Sequence, residues 1–239
     1  MYDVIVAGGG PAGSTAAREA ATAGARVLLL DRAAFPREKP CGGGVNVRAA
    51  ALLPFDLAPV VERTVSGVRF SLRTRGDFTR RYPRPLTYMT QRSRLDAFLV
   101  ERAVEAGVDL HERDAVRDLL TDATGMTVRT ARDQYRGRIV IGADGANGVV
   151  ARAAGLDGPR DLAVAFEGNV PFPDGLPSEW QQTAALDLGL IPGGYGWLFP
   201  KSDHVNVGVG GWKYTGPTLR ARLDQVTRHY GLAPERLAG

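Results

Sequence analysis

The 239 residues carry 30 Lys and Arg against 26 Asp and Glu, a net charge of +4, with 44% hydrophobic and 23% charged residues. This composition excludes a disordered chain, and the length suits one large domain or two small ones. No apolar run reaches the roughly 18 residues of a membrane-crossing helix.

In chain order, Tyr2–Ala7 reads as a short buried parallel strand, β-branched and closed by glycines. Alanine-rich Ser14–Ala23 reads as a helix stopped by Gly24, and Ala25–Leu30 as a second strand ending at Asp31. The stretch from Pro36 to Gly44 is a Pro/Gly-rich loop. Residues 65–72 suit a strand, whereas 74–90 are polar and show no period. Ser93–Ala106 predicts a helix, with Leu95, Phe98, Leu99 and Ala103 on one stripe. Segments 108–120, 126–131 and 134–142 predict a β-meander, residues 163–211 a β-rich region, and Leu219–Tyr230 a last amphipathic helix.

Only Lys39, Lys201 and Lys213 are lysines, so 27 of the basic residues are arginines. They are scattered and follow no zinc-finger or recognition-helix pattern, so nucleic acid is not an expected partner. A phosphorylated or membrane-resident substrate suits the same charge. The single cysteine, Cys41, excludes an intrachain disulfide and a thiolate zinc site. His111, His204 and His229 stand far apart, and no metal is expected. The start, MYDVIVAGGG, has no basic segment before its apolar run and does not read as a signal peptide. The expected location is cytoplasmic, with peripheral contact to a membrane left open.

Gly8, Gly10 and Gly13, with Pro11 and Ala12 between them, satisfy GxGxxG. The pattern is weak alone. Here it follows a strand, opens a helix and precedes an acidic residue, Asp31, at the end of the next strand. Gly8 permits a tight turn, Gly10 lets a pyrophosphate approach the backbone, and Gly13 allows close helix–strand packing. The helix N-terminus offers free N–H groups to phosphate, and Asp31 is placed to accept the ribose hydroxyls. This unit leaves FAD and NAD both open.

Residues 138–145 (RIVIGADG) form an apolar strand ending in Gly-Ala-Asp-Gly, more than 130 residues after the first motif. That resembles the second fingerprint of flavoproteins related to p-hydroxybenzoate hydroxylase and carries Asp144 and Gly145 over as FAD contacts. Lys39-Pro40-Cys41-Gly42-Gly43-Gly44 resembles the PCGGG loop of geranylgeranyl reductases. The string from Tyr195 through Trp197 and Phe199 to Pro200, then Gly208 and Gly210, is similar to that family's YxWxFPx7GxG signature. On a strand, Tyr195, Trp197 and Phe199 share one face, suiting either an aromatic core or a wall for an apolar chain.

The resemblance spans essentially the whole chain and implies an α/β fold. A Rossmann-like FAD-binding domain (1–54 and 91–160), a βαβ parallel sheet plus β-meander, would interleave with a β-rich substrate domain (55–90 and 161–239). It implies FAD as cofactor, NAD(P)H or ferredoxin as electron donor, and reduction of carbon–carbon double bonds in a geranylgeranyl-type isoprenoid lipid or pigment precursor. Arg32, Cys41, Gly42, Gly43 and Arg94 join the expected FAD contacts, and Tyr195, Trp197, Phe199 and Pro200 the expected substrate contacts. Cys41 is either inert packing or a catalytic thiol facing the flavin. The family's third, Gly-Asp motif has no match after Gly211, so an N-terminal portion is expected, with residues 139–142 bordering the absent strand. A flavin monooxygenase on the same scaffold and a non-catalytic fragment are the alternatives; oligomeric state is not legible.

Overall fold

A computed structural model describes residues 1–156, 158 and 161–238. In chain order the regular elements are β1 (Tyr2–Ala7), α1 (Pro11–Thr22), β2 (Val27–Leu30), β3 (Gly44–Asn46), α2 (Val47–Ala50), β4 (Arg63–Val65) and β5 (Gly67–Leu72). They continue with β6 (Phe78–Arg81), β7 (Thr87–Met89), α3 (Arg92–Glu105), β8 (Asp109–His111), β9 (Val116–Asp122), β10 (Gly125–Thr130) and β11 (Gln134–Gly142). The last are α4 (Val150–Ala153), β12 (Ala163–Pro171), β13 (Thr183–Leu188), β14 (Tyr195–Pro200), β15 (His204–Trp212) and α5 (Leu219–His229). Contacts divide the chain into two units, Met1–Lys39 with Arg92–Arg160, and Pro40–Gln91 with Asp161–Gly239.

In the first unit a six-stranded sheet runs β8-β2-β1-β11-β10-β9. The first four strands are mutually parallel and the last two continue antiparallel. This is the expected βαβ core joined to a β-meander. Strand alternation fills both sides of β1. Val4 and Val6 face a cluster with Ala17 of α1 and Val100 and Ala103 of α3. Ile5 and Ala7 face the opposite cluster with Leu119, Val128 and Val150. Burial on both faces explains why β1 and β2 read as unbroken apolar runs. Strand β11 pairs with β10 only over residues 134–137, and with β1 from Gly137 to Gly142. Among the described residues, no strand pairs with residues 138–142 on the side away from β1.

The second unit has a six-stranded sheet, β12-β15-β14-β13-β5-β6, and a small sheet, β3-β7-β4. One face of the large sheet (Val205, Val207 and Val209 of β15, Leu198 of β14) packs under Leu219, Leu223 and Val226 of α5. Residues 40–54, assigned by sequence to the FAD domain, pack with this unit because β3 pairs with β7. The unpatterned stretch 74–90 holds two strands, β6 and β7. The segment read as one strand over 108–120 is two, β8 and β9, which sit at opposite ends of their sheet.

Candidate functional site

The first unit builds a cradle at the carboxyl end of β1. Gly8 has φ +100, and a Cβ there would run into the Ala143 carbonyl oxygen. At Gly13 a Cβ would collide with the Gly8 carbonyl oxygen, so only glycine lets α1 pack this closely on the turn. Gly10 differs, because nothing lies nearer to a Cβ there than Arg37 Nη2 at 3.7 Å and Arg92 Nη2 at 3.8 Å. It faces open space flanked by two guanidinium groups. Pro11 begins the helix after Gly10, with no side-chain cap and no acid in the first turn. The positive end of a 12-residue helix is therefore left for an outside anion.

Asp96, fully buried, sets both arginines. Arg92 grips it with two hydrogen bonds of 2.7 and 2.8 Å, and Arg37 Nη1 lies 3.0 Å from it. Asp31 directly follows β2 and is only 6% exposed, with Oδ2 accepting from Gly9 N–H at 2.7 Å and Oδ1 from Ala33 N–H at 2.8 Å. Each oxygen keeps a further acceptor position. The carboxylate thus shapes the glycine turn and remains able to take ribose hydroxyls. These features fit the pyrophosphate and ribose of a dinucleotide.

The two glycine motifs meet in space. Ala143 N–H donates to Ala7 O at 2.8 Å, continuing the β1–β11 pairing into the turn. Asp144 Oδ2 accepts from Val149 N–H at 2.5 Å and Val150 N–H at 3.1 Å, capping α4 from five and six residues away. Gly145, at φ +87, has open space around it. Ala12 is exposed at the start of α1. Arg32 and Arg94 are both exposed, and Arg94 lies about 200° around α3 from Arg92, since each helical residue turns about 100°. The guanidiniums beside Gly10 belong to Arg37 and Arg92, which the sequence did not single out.

In the second unit the Cys41 loop lies against β14. A Cβ on Gly42 would meet Phe199 Cδ2 at 2.6 Å and Trp197 Nε1 at 3.2 Å, so the loop backbone sits flat on these rings. Gly43, at φ +66, abuts the Thr90 carbonyl, and its own carbonyl accepts from Thr90 Oγ1 at 2.9 Å. Lys201, directly after Pro200 and 2% exposed, donates from Nζ to Gly42 O at 2.7 Å and Thr90 O at 2.6 Å. Burial pulls its ammonium down from 10.5 to about 8, against weaker opposing pulls from Glu62, Cys41 and Glu167. Cys41 itself is exposed, and its Sγ accepts from Gly43 N–H at 3.5 Å.

Tyr195, Trp197 and Phe199 form a row with ring centroids 5.8 and 6.1 Å apart. The row is not uniformly accessible. Trp197 is 6% exposed and its Nε1 donates to Asn206 Oδ1 at 2.8 Å, while Tyr195 is 46% exposed. A Cβ on Gly208 would lie inside the Trp197 ring, so glycine at that position of β15 is what seats the indole. Pro200 is buried. Cys41, Gly42 and Gly43 therefore belong with the aromatic row, and Gly8, Gly10, Pro11, Gly13, Asp31 and Asp144 with one another. Arg92 and Asp96, four apart on a helix, left a spacing signal in the sequence. Lys201 left only its place next to the FP dipeptide.

A family model described as an FAD binding domain matches residues 1–188. Digeranylgeranylglycerophospholipid reductase 1 of Methanopyrus kandleri is 35% identical over 229 residues, covering 87% of this chain and 57% of the relative. Menaquinone reductase of Mycolicibacterium smegmatis is 34% identical over 247 residues, covering 95% and 59%. A solved geranylgeranyl bacteriochlorophyll reductase-like protein from Thermoplasma acidophilum superposes with a TM-score of 0.80 at 23% identity, covering 99% and 64%. The chain thus spans about 57–59% of the length of these curated relatives.

Proposed function

Because the chain belongs to the FAD-binding domain family, we propose that it is the cofactor- and substrate-holding part of an FAD-dependent reductase that saturates isolated double bonds of a geranylgeranyl-type isoprenoid. Bound FAD, once reduced by NAD(P)H or ferredoxin, supplies the hydride chemistry. The glycine cradle, Arg37 and Arg92 would hold the pyrophosphate, and Asp31 the ribose. The Cys41 loop and the exposed side of the aromatic row would orient the isoprenoid and keep water from it. Cys41 is the candidate acid for the second alkene carbon. An unactivated alkene needs a proton as well as a hydride, and Cys41 is the one thiol in the chain.

The observation that carries this reading is the seating of the Cys-Gly-Gly loop on the Trp197 and Phe199 rings, with Lys201 closing it from below. The relatives named for isoprenoid-lipid and menaquinone reduction support the same substrate class. The test is alkene reduction on a fifteen-to-twenty-carbon isoprenoid series by flavin-loaded protein, followed by mass. A gain of two hydrogens per double bond supports the proposal. Oxygen insertion, or flavin retention without turnover, would sink it in favour of a monooxygenase or a non-catalytic fragment.

A further inference from the structure

The arginines are not evenly scattered as the sequence suggested: the hairpin β5–β6 and the loop after it concentrate positive charge. From Arg69 to Arg84 there are six arginines and one acid, Asp77, a net +5 in a chain whose total is +4. The rest of the molecule is thus slightly acidic. Arg69 is engaged, paired with Asp77, 3.6 Å from Glu179, and stacked over Trp180 and Tyr230. Arg73, Arg75, Arg80, Arg81 and Arg84 are all exposed. Among the described residues, none of the five has a side-chain hydrogen bond or ion pair.

Large apolar side chains stand among them. Leu72 is 63% exposed, Phe78 55% and Tyr82 49%. Strand β6 is a sheet edge with all four residues exposed, and its arginines discourage edge-to-edge pairing. The apolar positions also continue inward on one sheet face. Leu72 is in register with Leu188, and Leu188 with Tyr195. Leu188 and Tyr195 are 44% and 46% exposed, so a half-open apolar track joins the basic hairpin to the aromatic row.

We infer that the segment Arg69–Arg84 docks the protein on an anionic lipid bilayer, with its arginines on headgroup phosphates and Leu72, Phe78 and Tyr82 at the interface. Charge complementarity selects the partner. A nucleic acid would use the arginines but leaves the three apolar side chains in water, whereas a bilayer interface takes both. The track toward Tyr195 gives an isoprenoid a path that avoids water. That path rests on the proposed substrate class; the docking itself does not.

The test is co-sedimentation of the flavin-loaded chain with vesicles of equal parts phosphatidylcholine and phosphatidylglycerol, against pure phosphatidylcholine. Binding is expected to the mixed vesicles alone and to fall steeply as salt rises. Each arginine near the surface contributes about fivefold in partitioning. The quadruple variant Arg73→Gln, Arg80→Gln, Arg81→Gln, Arg84→Gln should therefore lose about a hundredfold or more. A milder pair outside the strand, Arg75→Gln with Arg84→Gln, should lose at least tenfold and guards against misfolding of the hairpin. Equal binding to both vesicle types, no binding, variants that bind like wild type, or tighter binding to duplex DNA would each overturn the inference. Reduction of a detergent-dispersed isoprenoid by the arginine variants reports on the substrate reading separately.

Discussion

Lys201 reaches back from the end of β14 to hold Gly42, its Nζ donating to the Gly42 carbonyl at 2.7 Å from a site 2% exposed to solvent. A buried ammonium whose hydrogen bonds go to backbone carbonyls is costly to hold charged, and its acidity records that cost. The folded-state value, about 8, lies below the ordinary 10.5, so between these limits the unfolded chain binds more protons than the folded one. Stability should therefore rise as pH goes from about 8 to about 10.5, by at most roughly 3 kcal/mol. Chemical denaturation across that range should show the rise in wild type and its absence in Lys201→Met. A flat wild-type profile would contradict the assignment.

Asp31 is placed to serve structure and cofactor at once. Removing its carboxylate strands the Gly9 and Ala33 N–H groups, one unsatisfied buried donor costing about 1–3 kcal/mol. Asp31→Ala is expected to weaken FAD binding at least tenfold and also to lower the melting temperature without flavin. Asp31→Asn, which keeps an oxygen acceptor, should recover most of the stability and less of the affinity. Flavin titration beside thermal melts of the apo-protein separates the two effects. If Asp31→Ala melts like wild type, the turn does not depend on that carboxylate.

The aromatic row predicts different consequences for neighbouring rings. Trp197 is packed, so Trp197→Ala should act as a core truncation costing about 3–5 kcal/mol. Tyr195 is 46% exposed, and its truncation should leave stability within about 1 kcal/mol of wild type. It should instead lower turnover of a twenty-carbon substrate more than of a fifteen-carbon one, because a buried methylene is worth about 0.8 kcal/mol. Gly208→Ala should mimic the Trp197 defect by displacing the indole, visible as altered tryptophan fluorescence. Equal loss for both chain lengths in Tyr195→Ala would remove the ring from substrate contact.

Strand β11 offers open backbone over residues 138–142, with Ile139 56% exposed beside it. Such an edge invites pairing with a second chain. The 239-residue chain is expected to self-associate reversibly in sedimentation experiments, and Ile139→Lys should shift it toward monomer. A monomer at every concentration in wild type would refute this.

Much of the first unit was legible because its constraints are local. Gly13 is forced by a collision with the Gly8 carbonyl inside the same turn, Gly8 by its own φ of +100, and the apolar runs of β1 and β2 record burial on both faces. Strand β6 was not legible, because all four of its residues are exposed and no alternation survives. The convergence of Arg37 and Arg92 on Asp96 requires a fold to bring residues 37 and 96 together. Lys201 defied the expectation that lysines lie on surfaces, and only the carbonyls of Gly42 and Thr90 explain its burial.

The pairing of β1 with β11 sets a schedule for synthesis. Residues 2–7 cannot complete their sheet until residues 137–142 emerge, some 130 residues later. At about 5–20 residues per second that is a delay of roughly 7–26 s, during which Val4, Ile5 and Val6 lack their final partner strand. The intervening chain from Pro40 to Gln91 belongs to the other unit, whose sheet itself waits for β13 to β15. The first unit's sheet can therefore close as soon as β11 has emerged at Gly142, while β5 still waits for its partner β13 at Thr183–Leu188, so the unit interrupted by the other is the first to be completed.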